Sequence, residues 1–100
     1  MMKVKSVSGK LIRLTDERWI HIVESHPEMA GSMSEVLLAI ASPDVVIKGS
    51  EAELLAAVFK REDKLLVVVY REGLEDRFII TAFLTSKIEK ILKRNILWQK

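Results

Sequence analysis

Apolar residues recur at helical intervals between residues 15 and 26. Thr15 has the residue type of an N-cap, and two carboxylates follow it in the first turn, where the helix dipole favours negative charge. Pro27 disfavours helical backbone at the residue before it, so the predicted helix ends at about Ser25 or His26. The face that this periodicity directs towards the rest of the protein carries Trp19, Ile22, Val23 and His26.

A second helical pattern follows at once. Ser32 and Glu35 have capping-box spacing, and the apolar residues after them repeat every three or four positions. Pro43 ends this pattern, and the apolar residues 45–47 predict a short strand.

The second half of the chain is rich in β-branched and aromatic residues. Residues 54–60, 65–71 and 77–85 predict three strands, and charged turns at 61–64 and 72–76 separate them. Connections this short exclude crossovers, so the strands form an antiparallel meander. Residues 3–14 predict two short strands with a hairpin turn or a bulge at Ser8 and Gly9, and Ser86 begins a short basic helix. We expect the apolar residues 96–98 to return to the core, and the alternative is that they form an exposed dimer patch.

These elements predict an α+β fold in one domain, residues 1–100. An N-terminal strand or hairpin precedes two helices, a four-stranded and mostly antiparallel sheet with the helices on one face, and a short C-terminal helix. Period-two alternation divides the last long strand. One set is wholly apolar and is expected to lie under the helices: Phe78, Ile80, Ala82 and Leu84. The other set is Arg77, Ile79, Thr81, Phe83 and Thr85, which point to the open face or the edge.

Composition excludes several classes of protein. The chain has 100 residues and no cysteine, which excludes disulfides and thiol catalysis. We expect a cytoplasmic protein without membrane contact, because no apolar run approaches the roughly 20 residues of a membrane span and the first residues lack the apolar core of a signal peptide. A net charge of +2 permits a polyanionic partner without requiring one.

The chain has two histidines, His21 and His26. His26 lies where the helix ends against the rest of the protein, a position that suits general acid or base catalysis because imidazole titrates near neutral pH. The competing interpretation is that His26 only caps carbonyls at the helix end. His21 is turned away from the apolar face, so an exposed surface role competes with catalysis even more strongly there.

Hydroxyl and cationic side chains supply the other candidates. Thr81 lies in the last long strand, and Lys60, Arg71 and Arg77 lie near strand ends. Thr81 is also an ordinary strand residue, and the cations also suit a solvated sheet edge. The acids are too scattered for a metal site, the four glycines form no phosphate loop, and no nucleophile elbow is present. A histidine, a hydroxyl and cations without metal or cofactor fit RNA cleavage through the neighbouring 2′-OH.

Four stretches carry a family resemblance: HIVESHPEM, VLLAIASPDVVI, LLVVVYREG and RFIITAFLT. With them the chain resembles small phage and prokaryotic proteins of the barnase/EndoU/colicin/RelE nuclease superfamily, most closely its phage-type branch. The resemblance implies helices followed by an antiparallel sheet and a metal-independent endoribonuclease, a hydrolase that in some members is the toxin of a toxin-antitoxin pair.

The resemblance also assigns roles to residues. It implies that His26 of HPE, with His21 behind it, is the acid or base, and that Thr81 of ITA positions the phosphate or orients the histidine. Lys60, Arg71 and Arg77 would bind phosphate. RNA and an antitoxin-like protein are the implied partners, and the oligomeric state stays open. The alternative is a non-catalytic nucleic-acid-binding or protein-binding domain on the same scaffold.

Overall fold

The computed structural model describes residues 1–61 and 63–100, so Glu62 of the predicted turn at 61–64 lies outside the described residues. The helices are α1 (Asp16–Ser25), α2 (Met33–Ala41) and α3 (Ile88–Leu92), and a short 3-10 turn, Pro27–Met29, follows α1. The strands are β1 (Met2–Lys5), β2 (Leu11–Leu14), β3 (Val45–Lys48), β4 (Leu54–Arg61), β5 (Lys64–Glu72), β6 (Arg77–Thr85) and β7 (Ile96–Gln99). The fold is α+β, as predicted.

The described strands form one mixed sheet of seven strands in the order β1-β2-β6-β5-β4-β3-β7. The predicted sheet of four strands is therefore wrong in its size, although β3 to β6 do form the antiparallel centre. The N-terminal hairpin joins this sheet through β2, which pairs in parallel with β6. At the other edge, β7 pairs antiparallel with β3. Both pairings join strands distant in sequence, and local periodicity carries no signal for such partners.

The beginning and end of α1 follow from its sequence. The Thr15 side chain accepts a hydrogen bond from the Arg18 backbone N–H at 3.1 Å, which confirms the predicted N-cap. The last turn closes at His26, whose backbone N–H donates to the Ile22 carbonyl at 2.7 Å. Pro27 then opens the 3-10 turn. His26 and the residues after it are thereby held beside the sheet, since Met29 is buried in the core.

The sheet has a different cover on each face. Helices α1 and α2 cover what we call the helix face, whose buried residues include Ile12, Ile22, Ile40, Val68 and Ile79. The opposite side, which we call the outer face, is covered at one end by α3. Its buried residues are Val45, Ile47, Leu55, Ala57, Leu65, Val67 and Ile91. The prediction that the helices lie on one face of the sheet therefore holds for α1 and α2. It does not hold for α3, which lies on the outer face.

A β-bulge in β6 reverses part of the predicted alternation. Val69 of β5 is opposite Thr81, but the next residue, Tyr70, is opposite Ile79, so Ile80 is the extra residue. Beyond this bulge the side chains exchange faces. Ile79 is completely buried on the helix face. The expectation that Phe78 lies under the helices and Ile79 on the open face is therefore wrong, whereas Thr81 to Thr85 keep the predicted faces.

The C-terminal strand lies at the edge of the sheet. Its apolar side chains stay accessible, with Ile96 41%, Leu97 52% and Trp98 38% exposed, so the expected return of these residues to the core is wrong. The backbone pairing with β3 places them at the rim. Among the described residues, no helix has the length and apolar character needed to cross a membrane.

Candidate functional site

The second half of β6 has a free edge on one side. Strand β2 reaches β6 only where Arg13 is opposite Phe78, so within the described residues no strand pairs with this edge beyond that point. The 3-10 turn Pro27–Met29 packs there instead. The backbone N–H of Leu84 donates to Oε2 of Glu28 at 3.4 Å. A carboxylate thus satisfies a donor that a neighbouring strand would otherwise bond.

The same carboxylate lies beside His26. Nδ1 of His26 is 3.7 Å from Oε2 of Glu28, which is ion-pair distance and longer than a hydrogen bond. The imidazole also packs against Phe83, with ring centroids 5.7 Å apart. The side chains of His26 and Glu28 are 35% and 39% exposed. This imidazole is therefore held on two sides and still open to solvent.

The chemistry available to His26 follows from these contacts. The hydrogen bond that closes α1 comes from the backbone N–H of His26, and the ring makes no hydrogen bond to a helix carbonyl among the described residues. A carboxylate near Nδ1 favours the ring tautomer that keeps the proton on this nitrogen. Nε2 is then the atom suited to accept a proton from a bound molecule.

His21 lies elsewhere. Its side chain is 61% exposed on α1, with Nδ1 3.6 Å from Glu24 and Nε2 3.9 Å from Glu17. Five positions separate it from His26, which turns the two side chains about 140° apart around the helix. The structure does not bring the two histidines together.

Thr81 lies on the same strand and the same face as Phe83, the residue that His26 contacts. It is on the outer face, directly opposite Val69, and is partly buried. Phe83, on which the His26 ring rests, is two residues further along the same face, about 7 Å away by strand geometry. The structure therefore places Thr81 beside the residue that supports His26.

Of the three cations predicted to bind phosphate, Lys60 and Arg77 have partners within the protein. Nζ of Lys60 forms an ion pair with Glu35 of α2 at 2.5 Å. Arg77 donates from Nε to the Gly73 carbonyl at 2.9 Å and from Nη2 to the Leu74 carbonyl at 3.0 Å, which fastens the β5–β6 turn.

The third cation, Arg71, is exposed and lies opposite Phe78. Both Arg71 and Arg77 lie near the β5–β6 turn, whereas Phe83 lies towards the other end of β6. The three cations are therefore not gathered around His26. Within the described part of the chain, no three His, Asp or Glu side chains are grouped as metal ligands, and His26 with Glu28 supplies two such groups at most.

Compared with protein-family models, with curated proteins and with solved structures, this chain has no significant match.

Sequence reasoning missed two members of the site, Glu28 and Phe83. Glu28 stands two residues after His26, and this proximity was the available signal. Its role depends on the free edge of β6, because its carboxylate lies where it can accept the Leu84 N–H. Phe83 was expected on the open face, but its contact with His26 requires the packing of the 3-10 turn against β6.

Proposed function

We propose that this protein is a metal-independent endoribonuclease that cleaves RNA through attack of the 2′-OH, with His26 as its acid and base. The observation that carries the proposal is the half-exposed imidazole of His26, held between the Glu28 carboxylate and the Phe83 ring at the free edge of β6. Buried structural histidines lack this access to solvent, and freely exposed ones lack this orientation.

The proposed reaction needs one base and one acid. Neutral His26 accepts the 2′-OH proton while O2′ forms a bond to phosphorus, and the imidazolium then returns that proton to O5′ as the P–O5′ bond breaks. The products are a 2′,3′-cyclic phosphate and a 5′-OH. Glu28 stabilises the imidazolium, and the Thr81 hydroxyl hydrogen-bonds the phosphate. His21 remains a weaker candidate for the acid because it faces away on α1.

The cations differ in their readiness to bind phosphate. Arg71 is exposed on the outer face, the face that carries Thr81 and Phe83, so it is the first phosphate ligand we propose. Lys60 and Arg77 are weaker candidates for phosphate binding, because the substrate would have to displace Glu35 from Lys60 and the turn carbonyls from Arg77.

The test is incubation of the full chain with a mixed-sequence RNA in EDTA, followed by analysis of the new ends. Cleavage that leaves cyclic phosphate and 5′-OH ends supports the proposal. Folded protein that leaves the RNA intact contradicts it, and so does cleavage that leaves a 5′-phosphate, since 2′-OH attack cannot produce that end.

A non-catalytic nucleic-acid-binding domain is the second candidate. The placement of Arg71 and Arg77 towards the other end of β6 from Phe83 favours it, because binding then needs no contribution from His26. RNA binding that weakens with salt, without cleavage by the wild-type protein, would support this function. If the protein is a toxin-type nuclease, an antitoxin-like partner would cover the same cations.

A further inference from the structure

Four side chains form a row across four neighbouring strands. Lys3 of β1 is directly opposite Arg13 of β2, Arg13 is opposite Phe78 of β6, and Phe78 is opposite Arg71 of β5. Residues that are directly opposite in a sheet project from the same face. With strands about 4.8 Å apart, the row is roughly 14 Å long. An aromatic ring therefore has cations on both sides.

The row lies on the outer face of the sheet. Five of the residues adjacent to it along the strands lie on the helix face: Ile12, Leu14, Tyr70 and Ile79 are buried in its core, and Val4 packs against that core. Because side chains alternate along a strand, the row projects away from that core. The bulge at Ile80 is what brings Phe78 into this position.

This part of the outer face is open. Helix α3 packs over the other end, against the cluster that contains Val45, Leu55 and Val67. The three cations of the row are exposed and Phe78 is partly exposed. Among the described residues, Phe78 packs in neither buried cluster, although it is a large apolar side chain.

The charges around the ring are mostly positive. A shallow recess beside Phe78 is also lined by Met1, Arg13, Thr15, Arg18 and Ile79, so that Arg18 at the start of α1 is a fourth cation near the ring. A second recess, which also contains Lys3 and Arg13, includes one acid, Glu75. Cations exceed acids at this surface, which complements a polyanion.

We propose that the row Lys3–Arg13–Phe78–Arg71 binds single-stranded RNA, with a base stacked on Phe78 and the cations on the flanking phosphates. Aromatic rings on an open sheet provide stacking for unpaired bases, and nearby cations follow the backbone. The identity of the ligand as RNA rests on the proposed function. Phe78 and Phe83 are five residues apart on this face of β6, about 16 Å by strand geometry, so RNA held across the row reaches His26 by extending that distance along β6.

The experiment measures binding separately from cleavage. A labelled single-stranded RNA is titrated by fluorescence anisotropy with the His26→Ala protein, at salt concentrations from about 50 to 200 mM. In this background, Phe78→Leu is expected to weaken binding about tenfold with little change in salt dependence, because stacking is lost and charge is kept. Arg13→Gln is expected to reduce the slope of log K against log salt by about 0.7, the value for one phosphate contact on a single strand.

Lys48→Gln is the matched control, because Lys48 is an exposed cation on β3 outside the row. It should leave the affinity within about twofold. Urea unfolding of each variant verifies that the fold is intact. Unchanged binding by both row variants overturns the proposal, as does the absence of RNA binding.

The outcomes distinguish this proposal from the proposed function. Weaker binding by the row variants, without cleavage by the wild-type protein, supports the row and contradicts the nuclease. Cleavage by the wild-type protein that is equally efficient in Phe78→Leu and Arg13→Gln supports the nuclease and overturns the row.

Discussion

Oε2 of Glu28 lies 3.7 Å from Nδ1 of His26 and also accepts the backbone N–H of Leu84 at 3.4 Å. One carboxylate thus joins the end of α1 to the free edge of β6. The hydrogen bond to the strand fixes the carboxylate, and the fixed carboxylate limits the orientations of the imidazole. The sheet edge is therefore part of the support of the candidate acid and base.

Glu28→Gln tests this support. The amide keeps an oxygen for the Leu84 N–H and removes the charge beside His26, so we expect RNA cleavage with kcat lowered about tenfold or more and KM little changed. Glu24→Gln, at an exposed position on the preceding helix α1, is the control and should act like wild type. An unchanged kcat in Glu28→Gln would show that the carboxylate has no part in catalysis.

The bulge in β6 predicts unequal costs for two adjacent substitutions. Ile79 is completely buried, so Ile79→Ala should lower the free energy of unfolding by about 2 to 4 kcal/mol. Phe78 is only partly buried, and Phe78→Ala should cost about 1 kcal/mol or less. Urea denaturation of both variants measures the difference. The opposite order would mean that strict alternation continues through the strand and that the bulge is absent.

Strand β6 also shows what the local sequence can and cannot predict. Alternation correctly assigned Thr81 and Phe83 to one face and Ala82 to the other, because the apolar set there is unambiguous. It failed before Ile80, where every residue from 78 to 80 is apolar and nothing in the pattern marks the extra residue. The row that contains Phe78 was therefore not predictable, since it needs both the bulge and the distant pairing with Arg13.

Arg77 is expected to matter for stability. Its guanidinium donates to two carbonyls of the β5–β6 turn, so Arg77→Met should lower the free energy of unfolding by about 1 kcal/mol. Because these donors are engaged within the protein, the salt dependence of RNA binding should change little. Urea denaturation and an RNA titration of this variant measure both effects. A loss of salt dependence with unchanged stability would instead identify Arg77 as a phosphate ligand.

Tyr70, the only tyrosine of the chain, predicts a loss of stability at alkaline pH. Burial, with a smaller contribution from the Glu72 charge, raises the pKa of its phenol above the ordinary value of 10.0. The unfolded chain then loses this proton at lower pH than the folded protein, so the stability contributed by the neutral phenol is complete below about pH 10 and falls as the pH rises further.

Tyr70→Phe removes this titration. Its free energy of unfolding should therefore fall less than that of wild type between about pH 9 and pH 11, as measured by urea denaturation at each pH. Tyrosinate absorbance in the folded wild-type protein provides a direct check, and ionisation at the ordinary pKa would contradict the burial argument.

The candidate site was predictable only in part. The sequence identified His26 because the helix has to end at Pro27, a rule that depends on neighbouring residues alone. It could not assemble the cations, because the positions of Lys60 and Arg71 in space depend on strand registers. The partner of Lys60 is equally distant in sequence, since Glu35 lies on α2.

The most direct test of the central claim is RNA cleavage in EDTA by wild type, His26→Ala and His21→Ala side by side, with the fold of each verified by circular dichroism. We predict that wild type and His21→Ala cleave at similar rates and that His26→Ala loses activity by a factor of a hundred or more, on the order of what general acid–base catalysis contributes. A folded His26→Ala protein that cleaves as fast as wild type would contradict the assignment of His26 as the acid and base.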